Sequence, residues 1–397
     1  MVPDLGFSTT GNATLVAYSN SVPILATDPW VGSEDHAYFG SWRGSHHIPK
    51  SLLDDIADCR YIWYSHGHPD HLNPLSFRRF TGNTILLPDH VGSRIASGLL
   101  DDGLNVRVIP SFQWIELADS IEIYCMPTFL QDAALLIRIG EHVVINLNDT
   151  GCRTIWQIVK REIARFNRRY FLCLGGYGDT DMINLVDSEG SRILPKAASK
   201  PDFFSNLVSM ARSLGATHLI PFSSFHQFAR ADSIWAEPYN TSVEVYEKFC
   251  QEHNESGLEC LPPFVSIDVH VDKPQRIFHQ PVERKIIQPE TFGDNYADQL
   301  TNQDIQKLTN YFKKIPLLEK NIGFIKFCVG GKEVTIDLNR RKKSGFRFHC
   351  PRNSLMTAID YRIFDDLLIG NFMKLELINV NSLYDGFFNF NYLKSIF

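Results

Sequence analysis

The chain has no run of about 18 apolar residues, so no membrane-spanning helix is expected. It has no excess of positive charge: the formal net charge is -6, which disfavours non-specific binding to nucleic acid or to an anionic membrane surface. The basic cluster Arg340-Arg341-Lys342-Lys343 precedes Ser344-Gly345 and reads as a solvated hairpin tip. The opening Met1-Val2-Pro3-Asp4 lacks both a basic start and an apolar core, so the expected location is cytoplasmic rather than secreted. No Cys-x-x-Cys or Cys-x-His pair occurs, which excludes a zinc ribbon or a Rieske cluster on this sequence. The eight cysteines (Cys59, Cys125, Cys152, Cys173, Cys250, Cys260, Cys328 and Cys350) are scattered, several within apolar runs, as expected of reduced buried thiols.

What is present is ordinary globular material, 44% apolar and 21% charged over 397 residues, enough for two domains. Alternation predicts a hairpin from Ala13–Tyr18 through Ser19-Asn20-Ser21 to Val22–Ala26, then a short helix over Ser51–Ala57 and a buried strand over Arg60–Tyr64. Pro74 is expected to open a helix. Strands follow near Thr84–Leu87, Asn105–Ile109, Ile121–Cys125, Ala134–Ile139 and His142–Leu147. Two helix-strand units come next, Thr154–Phe166 with Tyr170–Leu174 and Asp202–Leu214 with His218–Pro221. This order implies an α/β fold, an αββα sandwich with helices outside two sheets. Pro274, Pro281 and Pro289 mark a linker, giving a catalytic domain over 1–280 and an accessory α/β module over 281–397 that shapes the cleft or forms a homodimer interface. The aromatic stretch Phe387–Tyr392 reads as packing for that module.

The chemistry concentrates in His66-Gly67-His68-Pro69-Asp70-His71, directly after the Arg60–Tyr64 strand. In extended backbone His66 and His68 point the same way and can share one metal, while Asp70 and His71 reach a second beside it. Imidazole with carboxylate suits zinc, iron or manganese.

Ser65-His66-Gly67-His68-Pro69-Asp70-His71-Leu72-Asn73 resembles the His-x-His-x-Asp-His signature of the metallo-β-lactamase superfamily. The resemblance implies two divalent metal ions. It implies that Asp28, in Ala-Thr-Asp-Pro-Trp, supports the histidine loop from behind, and that Asp149, in Val-Ile-Asn-Leu-Asn-Asp-Thr-Gly, bridges the metals; the other reading of Asp149 is a turn or cap aspartate. It implies that His226, after Pro221-Phe222-Ser223-Ser224-Phe225, is a late ligand; a core or substrate-facing histidine is the other reading. One feature departs from the pattern. The loop where the family has a further histidine reads Pro127-Thr128-Phe129-Leu130-Gln131-Asp132-Ala133, so Asp132 is its only strong ligand, unless it serves as a cap or turn residue or the first metal has fewer protein ligands. His90 lies too early for this role and His142 falls in a hairpin turn.

The Leu-Asn-Asp segment, Leu174-Gly175-Gly176-Tyr177-Gly178, Pro-Phe-Ser-Ser-Phe, Pro351-Arg352-Asn353-Ser354-Leu355 and Phe364-Asp365-Asp366-Leu367-Leu368 are similar to the branch containing the CMP-N-acetylneuraminate hydroxylases. Those carry a Rieske domain, which this sequence lacks, so sialic acid hydroxylation does not carry over. For substrate contacts the candidates are His47 (beside His46), Tyr177 in the glycine-rich loop, and Arg230 with Asp232 and Trp235 as a rim of the cleft. Each also has a plain loop or surface reading.

The leading expectation is a hydrolase. Two metals about 3.5–4 Å apart would activate water against an ester, lactone or phosphoester of a small polar substrate. His66, His68 and Asp132 would hold one metal, Asp70, His71 and His226 the other, with Asp149 between and Asp70 and His71 acting in catalysis. The competing expectations are a di-iron oxygenase fed by an external reductase, because Asp132 enriches the site in oxygen ligands, and an inactive binding or scaffold protein.

Overall fold

The computed structural model describes residues 2–129, 131–150, 154–177, 179–199, 203–223, 225–252 and 257–383. Leu130, Gly151, Cys152, Gly178, Ser224 and the Phe387–Tyr392 stretch fall outside them.

Two sheets form the body. The first has eight strands in the order Val271–Arg276, Val265–Asp268, Gly6–Thr9, Leu15–Ser19, Val22–Thr27, Tyr61–Trp63, Thr84–Pro88 and Val106–Ile109. The second has seven, in the order Glu259–Cys260, His218–Ser223, Arg168–Leu174, His142–Asn146, Ala133–Ile139, Ile121–Pro127 and Trp114–Ala118. The period-2 pattern explains the layering. Ile123, Cys125, Leu135 and Ile137 point between the sheets and pack with Phe7, Leu15, Trp63 and Leu86. Their neighbours Tyr124, Met126, Ala134 and Leu136 point outward, onto the helices Trp156–Ile163, Phe203–Leu214 and Val243–Glu252. The outer face of the first sheet is covered by Leu52 and Ile56 of the helix Lys50–Asp58 and by Ala96 and Leu99 of Arg94–Asp101. The expected αββα sandwich is therefore the observed one.

The first hairpin turns through Asn20 and Ser21 with φ of 53° and 60°, the left-handed pair a tight two-residue turn requires. Pro74 does not open an α-helix. The Asn73 side-chain oxygen accepts from the amides of Leu75 and Ser76, and only a short 3-10 turn, Phe77–Phe80, follows.

In each sheet the strands that lead to the site run parallel: Val22–Thr27, Tyr61–Trp63 and Thr84–Pro88 in one, His142–Asn146, Arg168–Leu174 and His218–Ser223 in the other. Parallel strands bring their carboxyl ends to one side, where sites are built in α/β sheets. Asp28, Ser65–His71, Asp149 and Ser223 all sit at or just beyond such ends.

The C-terminal region forms a third sheet, Leu185–Val186, Lys374–Ile378, Gly345–His349, Phe324–Val329 and Lys332–Asp337, with its own core of Leu308, Phe312, Phe327, Phe348, Leu355 and Phe364. Its edge strand, Leu185–Val186, comes from the first 280 residues, so the division at 280 does not separate two closed units. The link after Lys332–Asp337 is not a hairpin tip. The next strand lies on the far side of Phe324–Val329 and runs parallel to it, so Arg340–Lys343 belong to a crossover loop; Arg340, Arg341 and Lys343 are exposed. The seven described cysteines are free thiols, six of them buried. Among the described residues no helix is long and apolar enough to cross a membrane.

Candidate metal centre

His66, His71 and Asp149 offer ligand atoms that all lie within 4.8 Å of one another. The motif loop leaves the strand Tyr61–Trp63 and is held from behind by Asp28. Asp28 Oδ1 accepts from the Ser65 amide at 2.7 Å, and its Oδ2 lies 3.2 Å from His71 Nδ1. Asp28 has no exposed surface and a φ of 38°, a left-handed conformation that a non-glycine residue adopts at a cost. With Nδ1 on the side of Asp28, His71 turns Nε2 toward Asp149 Oδ2 at 3.2 Å. Ser223, at the end of its strand, donates to the other Asp149 oxygen at 3.0 Å.

Asp132 lies against His66, its Oδ1 3.3 Å from Nδ1, and accepts from the Ala133 amide at 2.7 Å. It touches a member of the trio without belonging to it. Burial, with Asp149 nearby, pushes its carboxyl up to about 7. His90, set aside on chain position, lines a small cavity with His66 and Tyr64.

Asp70 receives a 2.5 Å hydrogen bond from the Tyr38 hydroxyl, and its other oxygen lies 3.6 Å from His71 Nε2. Tyr38 reaches this position from a loop whose next residues are Phe39 and Gly40. Gly40 has φ of 86°, and a Cβ there would sit 2.2 Å from the Phe292 ring.

His68 stands between two groups. Its Nδ1 is 2.8 Å from His66 Nε2. Its Nε2 is 3.3 Å from Asp365 Oδ2, and it forms a second convergent set with Asp365 and Asp366. Asp365 and Asp366 open the helix Phe364–Ile369 of the C-terminal region, 297 residues from His68 in the case of Asp365. Nothing local in the sequence marks an adjacent acidic pair as part of a site.

The electrostatics fit cations. Burial lowers His66 well below the usual imidazole range, with His71 and His68 adding to the effect. Burial opposes charge on His71 too, yet Asp70, Asp149 and Asp28 hold it well above that range. For His68 burial is likewise outweighed, by Asp365 and then Asp366 and Asp70, giving about 10. The carboxylates thus draw protons onto imidazoles where a divalent cation would satisfy them directly. The donor set of imidazoles and carboxylates suits zinc, iron or manganese.

The remaining candidates lie elsewhere. His226 is outside both convergent groups; its ring stacks on Trp42 at 3.5 Å and 7°. It lines a small cavity with Trp42, Tyr177, Phe228, Tyr239 and Asn371. Tyr38 connects this pocket to Asp70, because its ring packs edge-on against Trp42 at 4.6 Å. His47 is exposed on a two-stranded ribbon opposite Gln280 and borders neither cavity. Arg230 is not a cleft rim. It has no exposed surface, pairs with Asp232 and Asp294 at 2.8 and 2.7 Å, and lies over the Phe372 ring, where it clamps the C-terminal region to the body.

No protein-family model matches the chain. A protein named as a Rieske 2Fe-2S iron-sulfur protein, from Mycolicibacterium smegmatis, is 35% identical over 82 residues, 20% of this chain and 15% of that one. Cytidine monophosphate-N-acetylneuraminic acid hydroxylase of Danio rerio is 24% identical over 131 residues, 31% of this chain and 22% of that protein. The chain therefore matches less than a quarter of the length of either curated relative. Among solved structures, Igni18, a metallo hydrolase of Ignicoccus hospitalis, aligns at 14% identity and a TM-score of 0.43, covering 66% of this chain and 97% of its own. The isothiocyanate hydrolase from Delia radicum gut bacteria aligns at 14% and 0.45, covering 66% and 98%. CmlA, a diiron β-hydroxylase of Streptomyces venezuelae, aligns at 11% and 0.41, covering 67% and 54%. The fold assignment rests on the chain itself: two sandwiched sheets, helices outside, and a His-x-His-x-Asp-His loop leaving a central parallel strand with a buried aspartate behind it. On those grounds this chain has the metallo-β-lactamase fold.

Proposed function

We propose that the chain is a metal-dependent hydrolase acting on an ester, lactone or phosphoester of a small polar substrate. The observation that carries this reading is the convergence of His66, His71 and Asp149 within 4.8 Å, at the carboxyl ends of strands from both sheets. These three would hold a divalent cation, with Asp28 fixing the ring of His71 and Asp132 that of His66. Divalent cations bound there would polarise the substrate oxygen and bring the pKa of water toward neutrality. Asp70 supplies the proton-handling group. Tyr38 anchors one oxygen and leaves Oδ2 facing the centre, and burial, with Asp149 beside it, raises its affinity for a proton. Trp42, Tyr177 and Tyr239 offer aromatic faces, and Asn240 and Asn371 amide groups, for the body of the substrate.

The test is elemental analysis and an optical spectrum of protein purified without added metal, followed by assays with chromogenic esters, lactones and phosphodiesters. Turnover that a chelator removes and zinc or manganese restores supports the hydrolase. A second reading, an oxygenase with an external reductase, is favoured by the number of carboxylates around three histidines and by the name of the hydroxylase relative. Iron with reductant-dependent oxygen uptake and no hydrolysis would establish that reading instead.

A further inference from the structure

We propose that the C-terminal region completes the metal centre, with His68, Asp365 and Asp366 forming a second position for a divalent cation of the manganese or iron class. This rests on the reading of the His66 group as a metal centre.

The ligand atoms of His68, Asp365 and Asp366 all lie within 4.8 Å of one another. Asp366 is 6% exposed, and among the described residues no hydrogen bond or ion pair within 4 Å reaches its carboxylate. Burial, then Asp365 and Asp70, hold its carboxyl well above the usual range, with only the charges of His68 and Arg94 opposing them. A carboxyl buried beside like charges either keeps its proton or is compensated by a cation, and a divalent cation at this position would let both aspartates ionise. Arg94 acts on Asp366 through its charge but makes no ion pair with it. Arg94 spends its guanidinium on the backbone carbonyls of Tyr361 and Arg362. One neutral imidazole and two carboxylates would balance a divalent cation, and the excess of oxygen donors favours manganese or iron over zinc.

The helix carrying the pair is fixed in place. Ser41 Oγ donates to the Gly370 carbonyl at 2.5 Å, and Ile369 packs in one cluster with Trp42 and Tyr38. The acidic pair is thus part of the packed site and not a loose appendage.

The competing arrangement uses His68 differently. A neutral imidazole has one lone pair, so Nδ1 could ligate beside His66 while Asp365 merely orients the ring through Nε2–H. That arrangement leaves Asp366 buried without a hydrogen bond. The position of Asp366 is what favours the ligand assignment.

The experiment is a Mn2+ titration of the metal-stripped full-length chain, followed by calorimetry and by electron paramagnetic resonance. The unmutated protein should take up two equivalents. Asp365→Asn/Asp366→Asn should take up one, with the other weakened more than about 100-fold, beyond the range seen when only an orienting partner is lost. Asp366→Asn alone, an isosteric change, should weaken that same equivalent and guards against misfolding of the double variant. Circular dichroism of both metal-free variants should match the unmutated protein. Two equivalents retained at unchanged affinity would overturn the proposal. So would a loss of about 10–100-fold with stoichiometry kept at two, the signature of orientation only. Asp149→Asn reports on the other position: if it too kept both equivalents, the metal-centre reading itself would fail, whereas retention confined to the Asp366 variants would remove only this proposal.

Discussion

The His66 trio and the His68 group share a loop but are assembled in opposite ways. The trio is drawn from strand ends of the two sheets, and each member has a dedicated partner: Asp28 for His71, Asp132 for His66 and Ser223 for Asp149. The His68 group joins one motif histidine to a helix of the C-terminal region, and its Asp366 has no such partner among the described residues. A position with its supporting groups in place is organised before a cation arrives. One with two adjacent carboxyls, the more buried of them without a hydrogen bond, depends on the cation for its balance.

The largest effect that would break this comparison is at the trio. Asp149→Ala should abolish turnover and remove a metal equivalent while circular dichroism stays native, because the residue lies beyond a strand end and outside the core; His66→Ala should do the same. Native metal content in either variant would remove that residue from the ligand set.

The docking of the two regions comes next. Arg230 and Asp294 are a pair with no exposed surface, and removing one charge leaves the other buried and uncompensated. Arg230→Ala or Asp294→Ala should therefore cost about 3–5 kcal/mol in urea unfolding. A loss under about 1 kcal/mol would mean the pair does not clamp the C-terminal region.

Partners of the trio should matter less than its members. Asp28→Asn and Asp132→Ala are each expected to weaken metal binding about 10–100-fold without removing an equivalent. Loss of a full equivalent in Asp132→Ala would make it a ligand. In that case Asp132→His should also raise the zinc-to-iron ratio of protein expressed under one condition, whereas an unchanged ratio fits a partner that does not ligate.

The smallest effect concerns a histidine away from the centre. Burial, with His279 and His47 adding like charge and Glu244 opposing, lowers His46 from 6.5 to about 4. The unfolded chain then takes up this proton first as the pH falls. The contribution is intact above pH 6.5 and is lost progressively toward pH 4. His46→Gln should flatten that part of the stability profile measured by thermal unfolding; an unchanged slope would show that His46 does not contribute.

Much of the fold was legible because period-2 alternation and short helical stripes are local. The Ile121–Pro127 and Ala133–Ile139 pair shows it, each residue's face following from its place in the strand. The signs that failed were local features with more than one outcome. Pro74 suits a helix start, but the Asn73 side chain captured the following amides first. Trp114–Ala118 and Arg94–Asp101, absent from the sequence reading, are short elements whose stability comes from packing against neighbours.

The motif loop and Asp149 could be read from sequence because a ligand set packed into six residues, or set at the end of an apolar strand, leaves a local trace. Three things were settled only by tertiary structure. Arg230 became a buried clamp because Asp294 and Phe372 surround it. His226 went to an aromatic pocket because its strand pairs with Trp42–Gly44. Asp365 and Asp366 reached His68 because the third sheet borrows Leu185–Val186 and seats its helix against the Tyr38 loop. Contacts across nearly 300 residues leave no periodicity or spacing behind them, so only the folded chain could bring that acidic pair to the histidine.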